Sequence, residues 1–421
     1  VLHSMRRFLI FLVAAALAAA GPTAAGTSAL TSAAPADEVR GLWVVRTALT
    51  SPASVARMVE GAEAAGFNAL LVQVRGRGDA YYNGGLEPRA ASLGATTGFD
   101  PLATTLALAR PRGLRVLAWI NVNLVSSAHD LPSDPAHIVN RFPEWLMVPR
   151  ALAQELASAS PTSPGFTGRL ARWTRANSAS VEGLYASPLH AGAADHAVRV
   201  AADIAQRYAI DGVHFDYIRF PGPDFDYSRA ALDGFRNAVR AELPATTARL
   251  LDQKRADDVL AWVDAMPERW EEYRRARLTA LAHRLRDAVV ATRPGTLVTA
   301  AVVADPDEAR RRKLQDWRSW LDLGVIDVAC PMAYTPDDDV FERQIAGAVA
   351  ETAAGAIWAG IGAYRLTPDQ TVARIGTARR AGAEGVVLFS YDSLVDASPS
   401  TFLSDVRRGA FPDGRSSTGG R

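Results

Sequence analysis

The chain of 421 residues carries one cysteine, Cys330, and two lysines, Lys254 and Lys313. A single thiol excludes any intrachain disulfide framework, so the fold rests on its core, which a chain of this size can supply. Cys330 lies in an apolar run and reads as a buried, inert thiol. The formal net charge is only +1, so no field of one sign is present to attract nucleic acid. Lysine is scarce because arginine replaces it, and no function follows from that. Several chemical signatures are missing too: HExxH, the Gly-x-Ser-x-Gly elbow, the P-loop and the dinucleotide fingerprint. His190 and His196 are not backed by the paired aspartate of a metal deacetylase. No metal and no cofactor is expected, and a metal-dependent polysaccharide deacetylase stays a distant alternative.

With 48% hydrophobic and 22% charged residues, the chain is ordinary globular material. Met5-Arg6-Arg7 precedes a continuous apolar run over 8–20, and small residues follow. This is the layout of a secretory signal peptide, short for a transmembrane helix, with an uncleaved N-terminal anchor as the alternative. The expected organisation is a signal peptide at 1–25, a flexible linker at 26–37, a barrel domain at 38–406 and a polar tail at 407–421. The mature protein is expected to be secreted or periplasmic, without stable membrane insertion after signal cleavage.

Eight apolar runs follow, near 39–45, 68–74, 115–123, 211–218, 297–303, 325–334, 357–364 and 385–391. Helical sequence separates each from the next. Such alternation predicts a parallel sheet, and eight units of it predict an α/β fold of the (β/α)8 TIM-barrel class. Two stretches are too long for ordinary connections: 124–191, rich in Pro, Ser and Gly with no clear period, and the charged, largely helical 223–268. They predict long βα-loop insertions after strands 3 and 4, the first lying over the barrel mouth.

The fourth run, Asp211-Gly212-Val213-His214-Phe215-Asp216-Tyr217-Ile218-Arg219-Phe220-Pro221, carries polar groups that a plain core strand would not. Side chains alternate across a strand, so His214 and Asp216 share a face. An inward carboxylate at a strand's C-terminal end is where a barrel enzyme keeps its chemistry. The other strand ends add Arg46, Arg75, Asp79, Trp119, Asn121, Asn123, Tyr217, Arg219, Tyr334, Tyr391 and Asp392. Carboxyls, amides, arginines and aromatic rings at one mouth suit a sugar, and the expected partner is a polysaccharide or oligosaccharide, with no nucleic acid. Glycoside hydrolysis uses two carboxyl groups. Asp216 is the first candidate. Asp79, Glu87, Asp337 and Asp392 compete for the second place; for Asp337 the plain alternative is a helix N-cap. His214 is expected to be neutral and to hold Asp216 or a substrate hydroxyl.

The motifs Arg40-Gly41-Leu42-Trp43-Val44, Gln73-Val74-Arg75-x-Arg77-Gly78-Asp79-Ala80, Ala118-Trp119-Ile120-Asn121, the fourth run, and Asp327-Val328-x-x-Pro331-Met332-x-Tyr334 occur in this order. Together they resemble the bacterial glycosyl-hydrolase-like family ten. That resemblance implies a TIM-barrel glycosidase of the cell envelope, with peptide-free peptidoglycan strands among its substrates. It also implies Asp216, Asp79, Asn121 and Tyr334 as site residues. The fourth run further resembles the D-x-x-D-x-D-x-E signature of family 18 chitinases, but Ile218 stands at the proton donor's place and has no proton to give. The expectation is therefore an exported glycoside hydrolase of a bacterial envelope or extracellular polysaccharide, the rival being a non-catalytic carbohydrate-binding barrel.

Overall fold

A strand buried on both faces needs apolar residues at every position, which is why these strands read as unbroken apolar runs. In a computed structural model, describing residues 37–94, 98–395 and 401–412, the eight runs form β1 (Val39–Val44), β2 (Ala69–Arg75), β3 (Arg115–Asn121), β4 (Gly212–Asp216), β5 (Leu297–Val302), β6 (Val328–Ala333), β7 (Ala356–Ile361) and β8 (Gly385–Leu388). Each pairs in parallel with the next, and β8 returns to β1, with Val39 opposite Gly385, so the sheet closes on itself. All residues of β2 and β4 are buried. The chain is a (β/α)8 barrel. The expected signal peptide and most of the linker lie outside the described residues.

Helices α1 (Pro52–Ala64), α2 (Pro101–Ala109), α3 (Ala191–Arg207), α4 (Pro267–Thr292), α5 (Trp317–Asp322), α6 (Asp338–Ala350), α7 (Pro368–Arg380) and α8 (Phe402–Ala410) alternate with the strands. Their starts are written locally. Ser51 and Thr367 close capping boxes on α1 and α7, and the Asp100 carboxylate accepts from Ala103 N at the head of α2. The last helix continues through Ala410, so the polar tail expected from 407 starts later. Among the described residues no helix is long and apolar enough to cross a membrane.

The excursion between β3 and α3 is not the aperiodic loop its composition suggests. It contains a 13-residue helix, Pro164–Ala176, and a two-stranded antiparallel pair, Leu124–Ser126 with Leu184–Tyr185. Val125, Trp145, Leu152, Phe166, Leu170 and Leu184 form part of a separate hydrophobic cluster there. Phe166, Leu170 and Trp173 do recur at helical spacing, but the Pro, Ser and Gly clusters on either side hide this short stripe from sequence reading. The second insertion is helical as expected, with Arg229–Val239 and Ala245–Arg255.

Inside the barrel, Trp43, Leu71, Leu117, Trp119, Cys330, Trp358 and Val387 pack together. With a side-chain period of two, the residue two steps beyond an inward one faces the same interior, one layer nearer the mouth. Trp119 is thus followed by Asn121, and His214 by Asp216. The apolar layer becomes polar within one step.

Candidate active site

Parallel strands in a closed barrel bring all their C-terminal ends to one mouth. A cavity of about 360 Å³ opens there, and Trp43, Arg46, Gln73, Arg77, Trp119, Asn121, Asp216, Tyr217, Arg219, Met332, Tyr334 and Phe389 are among the residues lining it. Asp216 is the only carboxylate among the lining residues. It is 6% exposed. Its Oδ1 accepts from Tyr217 N at 2.6 Å and from Arg219 Nη1 at 3.2 Å. Burial raises its pKa above the ordinary aspartate value, and the Arg219 charge only partly opposes that rise. Such a carboxyl can hold a proton and give it up, as an acid catalyst must.

Beyond Asp216 the chain leaves the strand through Tyr217, whose φ of 51° is left-handed. A non-glycine residue adopts that conformation at an energetic cost, of order 1 kcal/mol, and here the turn swings Tyr217 and Arg219 back over the carboxylate. The Arg219 guanidinium stacks 4.2 Å from the Tyr217 ring centre. Burial and the Asp216 charge push the Tyr217 phenol up to about 12, so it stays a hydrogen-bond donor at neutral pH.

A chain of side chains fixes the cleft floor. Arg46 donates to Gln73 Oε1 at 2.9 Å, Trp119 Nε1 donates to Asn121 Oδ1 at 2.9 Å, and Asn121 Nδ2 donates to the Gly76 carbonyl at 2.8 Å. The ring of Tyr334 packs against Phe389 at 5.4 Å and, edge-on, against Trp43 at 6.2 Å. Trp43, Trp119, Tyr334 and Phe389 give the cleft apolar walls of the kind on which sugar rings stack.

Seven of the expected residues line this cleft: Asp216, Arg46, Trp119, Asn121, Tyr217, Arg219 and Tyr334. Asp79 lines an adjoining basin of about 260 Å³ that shares Arg46 and Arg77 with the first. The others stand elsewhere. Arg75 is turned inward, gripping Glu87 through two hydrogen bonds of 2.7 and 2.6 Å and donating to the carbonyls of Asn121 and Val122. Glu87 also meets His196 Nε2 at 3.0 Å and is buried. Burial pushes the Glu87 pKa up, but Arg75 and His196 overcome this and hold it at about 2. Asp337 is exposed and caps α6, accepting from Val340 N. Asn123 is buried and donates to the Arg219 carbonyl. Tyr391 packs beside Gly61 of α1, and Asp392 accepts from Val45 N at 2.8 Å and the Thr47 hydroxyl at 2.6 Å, tying the loop after β1 to the end of β8.

His214 does not contact Asp216 through a hydrogen bond and does not line the cleft. It is fully buried one layer below, where its Nε2 accepts from Trp43 Nε1 at 3.0 Å. That fixes the ring proton on Nδ1, facing Thr299 Oγ1 at 2.8 Å, and the Thr299 hydroxyl passes its own hydrogen to the Val213 carbonyl. Burial drives the His214 pKa down to about 3, so the ring is neutral and orients Trp43.

Two groups escaped sequence reading. Arg77 lines both basins, and Glu182 of the excursion accepts from Arg219 Nη2 at 3.5 Å and from the Tyr185 hydroxyl at 2.7 Å. Glu182 stands in a patternless segment with no sequence signal to mark it. Arg77 lies inside the quoted Gly-rich motif and was legible as a charge at a strand end. A separate apolar cavity of about 220 Å³ lies between the two insertions, lined in part by Leu146, Leu156, Phe166 and Tyr227; no strand-end residue reaches it.

The family model described as Glycosyl hydrolase-like 10 matches residues 38–369. The chain belongs to that family. It is thus a barrel of the glycoside-hydrolase-like class, as its ordered motifs imply. It is 24% identical over 195 residues to glycosyl hydrolase YngK of Bacillus subtilis (strain 168), a match spanning 43% of this chain and 32% of that protein. Among solved structures it resembles the PgaB (BpsB) glycoside hydrolase domain from Bordetella bronchiseptica, with a TM-score of 0.59, 17% identity and coverage of 88% of this chain and 98% of that one. The catalytic domain of a β-amylase from Paenibacillus polymyxa gives a TM-score of 0.59 at 12% identity, covering 91% and 100%. At such identities the likeness is one of fold.

Proposed function

We propose that this protein is an exported glycoside hydrolase that cleaves O-glycosidic bonds in a bacterial envelope polysaccharide, with peptide-free peptidoglycan strands as the first substrate to try. Asp216 protonates the departing glycosidic oxygen. The observation that carries this reading is a buried carboxyl with a raised pKa, alone in an aromatic-walled cleft at the strand C-termini. Tyr217 and Arg219 position it, and Trp119 and Tyr334 supply stacking surfaces. The second carboxyl comes from Asp79 in the adjoining basin or from Glu182 behind Arg219. Export rests on the signal-like pattern of residues 5–25.

The rival, a sugar-binding barrel without turnover, is favoured by the same solitary position of Asp216 in the central cavity. Incubating the purified protein with peptide-free glycan strands and separating the products decides between them. Cleavage by the wild type that disappears in Asp216→Asn supports the hydrolase. Binding without products supports the rival, and equal cleavage by both proteins removes Asp216 from the mechanism. Asp79→Asn and Glu182→Gln, compared in the same assay, identify the second carboxyl.

A further inference from the structure

Arginines near carboxylates in this protein generally pair with them, as Arg75 does with Glu87 and Arg219 with Asp216. Arg46 and Arg77 do not. Both are partly buried, both line the wall shared by the two basins, and neither forms an ion pair among the described residues. The Asp79 carboxylate is the acid nearest in sequence, yet its Oδ1 is turned to the Arg77 backbone N–H at 2.7 Å. Arg89, the third arginine of the second basin, is already engaged with Asn83 and the Phe99 carbonyl. Asp130 and Asp134 line that basin as exposed residues, and Asp134 Oδ1 accepts from Ala136 N.

The local backbone is shaped around this pair. A Cβ on Gly76 would come within 2.6 Å of the Arg46 side chain, so only glycine lets Arg46 lie across that turn. Gly78, at φ +75°, likewise leaves room for His137, whose Nε2 meets the Arg77 carbonyl at 2.8 Å. Burial and the neighbouring Arg46 charge lower the Arg77 pKa, as expected for two like charges held close. Asp79 and Asp130 lie close enough to act on Arg77 through space, but neither forms an ion pair with it or with Arg46. Two guanidinium groups held together with no carboxylate in contact form a receptor for a planar anion, which each can meet with paired N–H donors.

We propose that Arg46 and Arg77 form a carboxylate-binding subsite, so that the preferred glycan carries an acid group on the sugar lying beside the one cut at Asp216. The proposal rests on the glycosidase reading and adds the charge of the substrate to it. The test uses oligosaccharides of peptide-free peptidoglycan, whose muramic residues bear a lactyl carboxylate, and the same oligosaccharides with that carboxyl reduced to an alcohol. Binding is measured by calorimetry on the Asp216→Asn protein and cleavage on the wild type. The acidic form should bind at least about tenfold more tightly, as expected for a charge-assisted contact in a partly buried site. Arg77→Gln and, separately, Arg46→Gln should bring the ratio of the two forms toward one, and Arg77→Lys should restore part of it. Equal binding of both forms by the unsubstituted site, or an equal loss for both forms in Arg77→Gln, overturns the subsite and leaves the glycosidase reading standing. Failure to bind or cut either form overturns both.

Discussion

Two strand ends in this barrel carry a buried arginine beside a buried acid, and they treat the acid in opposite ways. After β2, Arg75 holds Glu87 with both arms of its guanidinium, and His196 closes on the same carboxylate. After β4, Arg219 touches Asp216 through one nitrogen and divides its attention with Glu182. Glu87 is held at about 2, whereas Asp216 rises above its ordinary value. Burial acts upward on both, so the difference lies in the partners. A carboxylate gripped twice by one cation and again by a second group is a fixed charge and serves the fold. One that meets its cation through a single nitrogen, at the edge of a cavity, has its pKa raised instead. Burial alone does not separate the two acids; the completeness of their pairing does.

The comparison is open to direct attack. The largest expected effect is on rate: Asp216→Asn should slow glycan cleavage by about 10²–10⁴-fold, the usual worth of a positioned acid. Because the raised pKa means that the folded state disfavours the Asp216 charge, stability attached to this group is present at low pH and is lost as pH rises through the folded value. The amide should therefore melt no lower, and at neutral pH somewhat higher, than the wild type. A variant that melts much lower would place Asp216 with Glu87 as a structural charge.

Next comes Glu87→Ala, which leaves Arg75 buried without its partner and should cost about 3–5 kcal/mol in denaturant titration. Its sign with pH is the reverse. A depressed folded pKa gives stability that is complete above the unfolded value and disappears as pH falls through about 2. The gap between wild type and Glu87→Gln should accordingly narrow under acid. A gap that widened would contradict the assignment. A smaller change is expected from Arg219→Gln: without the cation that opposes burial, the Asp216 pKa climbs further, and the alkaline limb of the pH–rate profile moves up. A limb that moves down would show that Arg219 does not act on Asp216. Smallest is His196→Ala, about 1 kcal/mol for a hydrogen bond to a charge that Arg75 continues to neutralise.

The barrel was legible in the chain because strands covered on both sides must be apolar throughout, and their ends stand out where polarity begins. The period of two likewise put His214 and Asp216 on one face. What that pattern omits is depth: it does not tell that His214 lies a layer beneath the cleft, bonded to Trp43 and Thr299. Glu87 looked like a catalytic candidate because the two groups that neutralise it are 12 and 109 residues away. Asp337 is the opposite case, since its bond to Val340 is local and the capping role was written three residues apart. Glu182 remained hidden because it stands among Ser, Val and Gly with no motif around it, whereas the Pro164–Ala176 helix carries an apolar stripe of Phe166, Leu170 and Trp173 that the surrounding Pro, Ser and Gly obscured. Asp79, by contrast, was visible at its strand end, but which basin it serves depends on the turn at Gly76 and Gly78.

The excursion after β3 keeps a dry interior of its own, with Trp145, Leu152, Phe166 and Leu170 packed apart from the barrel's central cluster. Other residues of the same segment, Leu124, Met147, Ala153, Val181 and Tyr185, belong to the main core, so the excursion is packed on itself and anchored to the barrel at once. Glu182 thus stands at the seam of two cores, between Val181 of one and Leu184 of the other, and reaches Arg219 from a segment held on both sides.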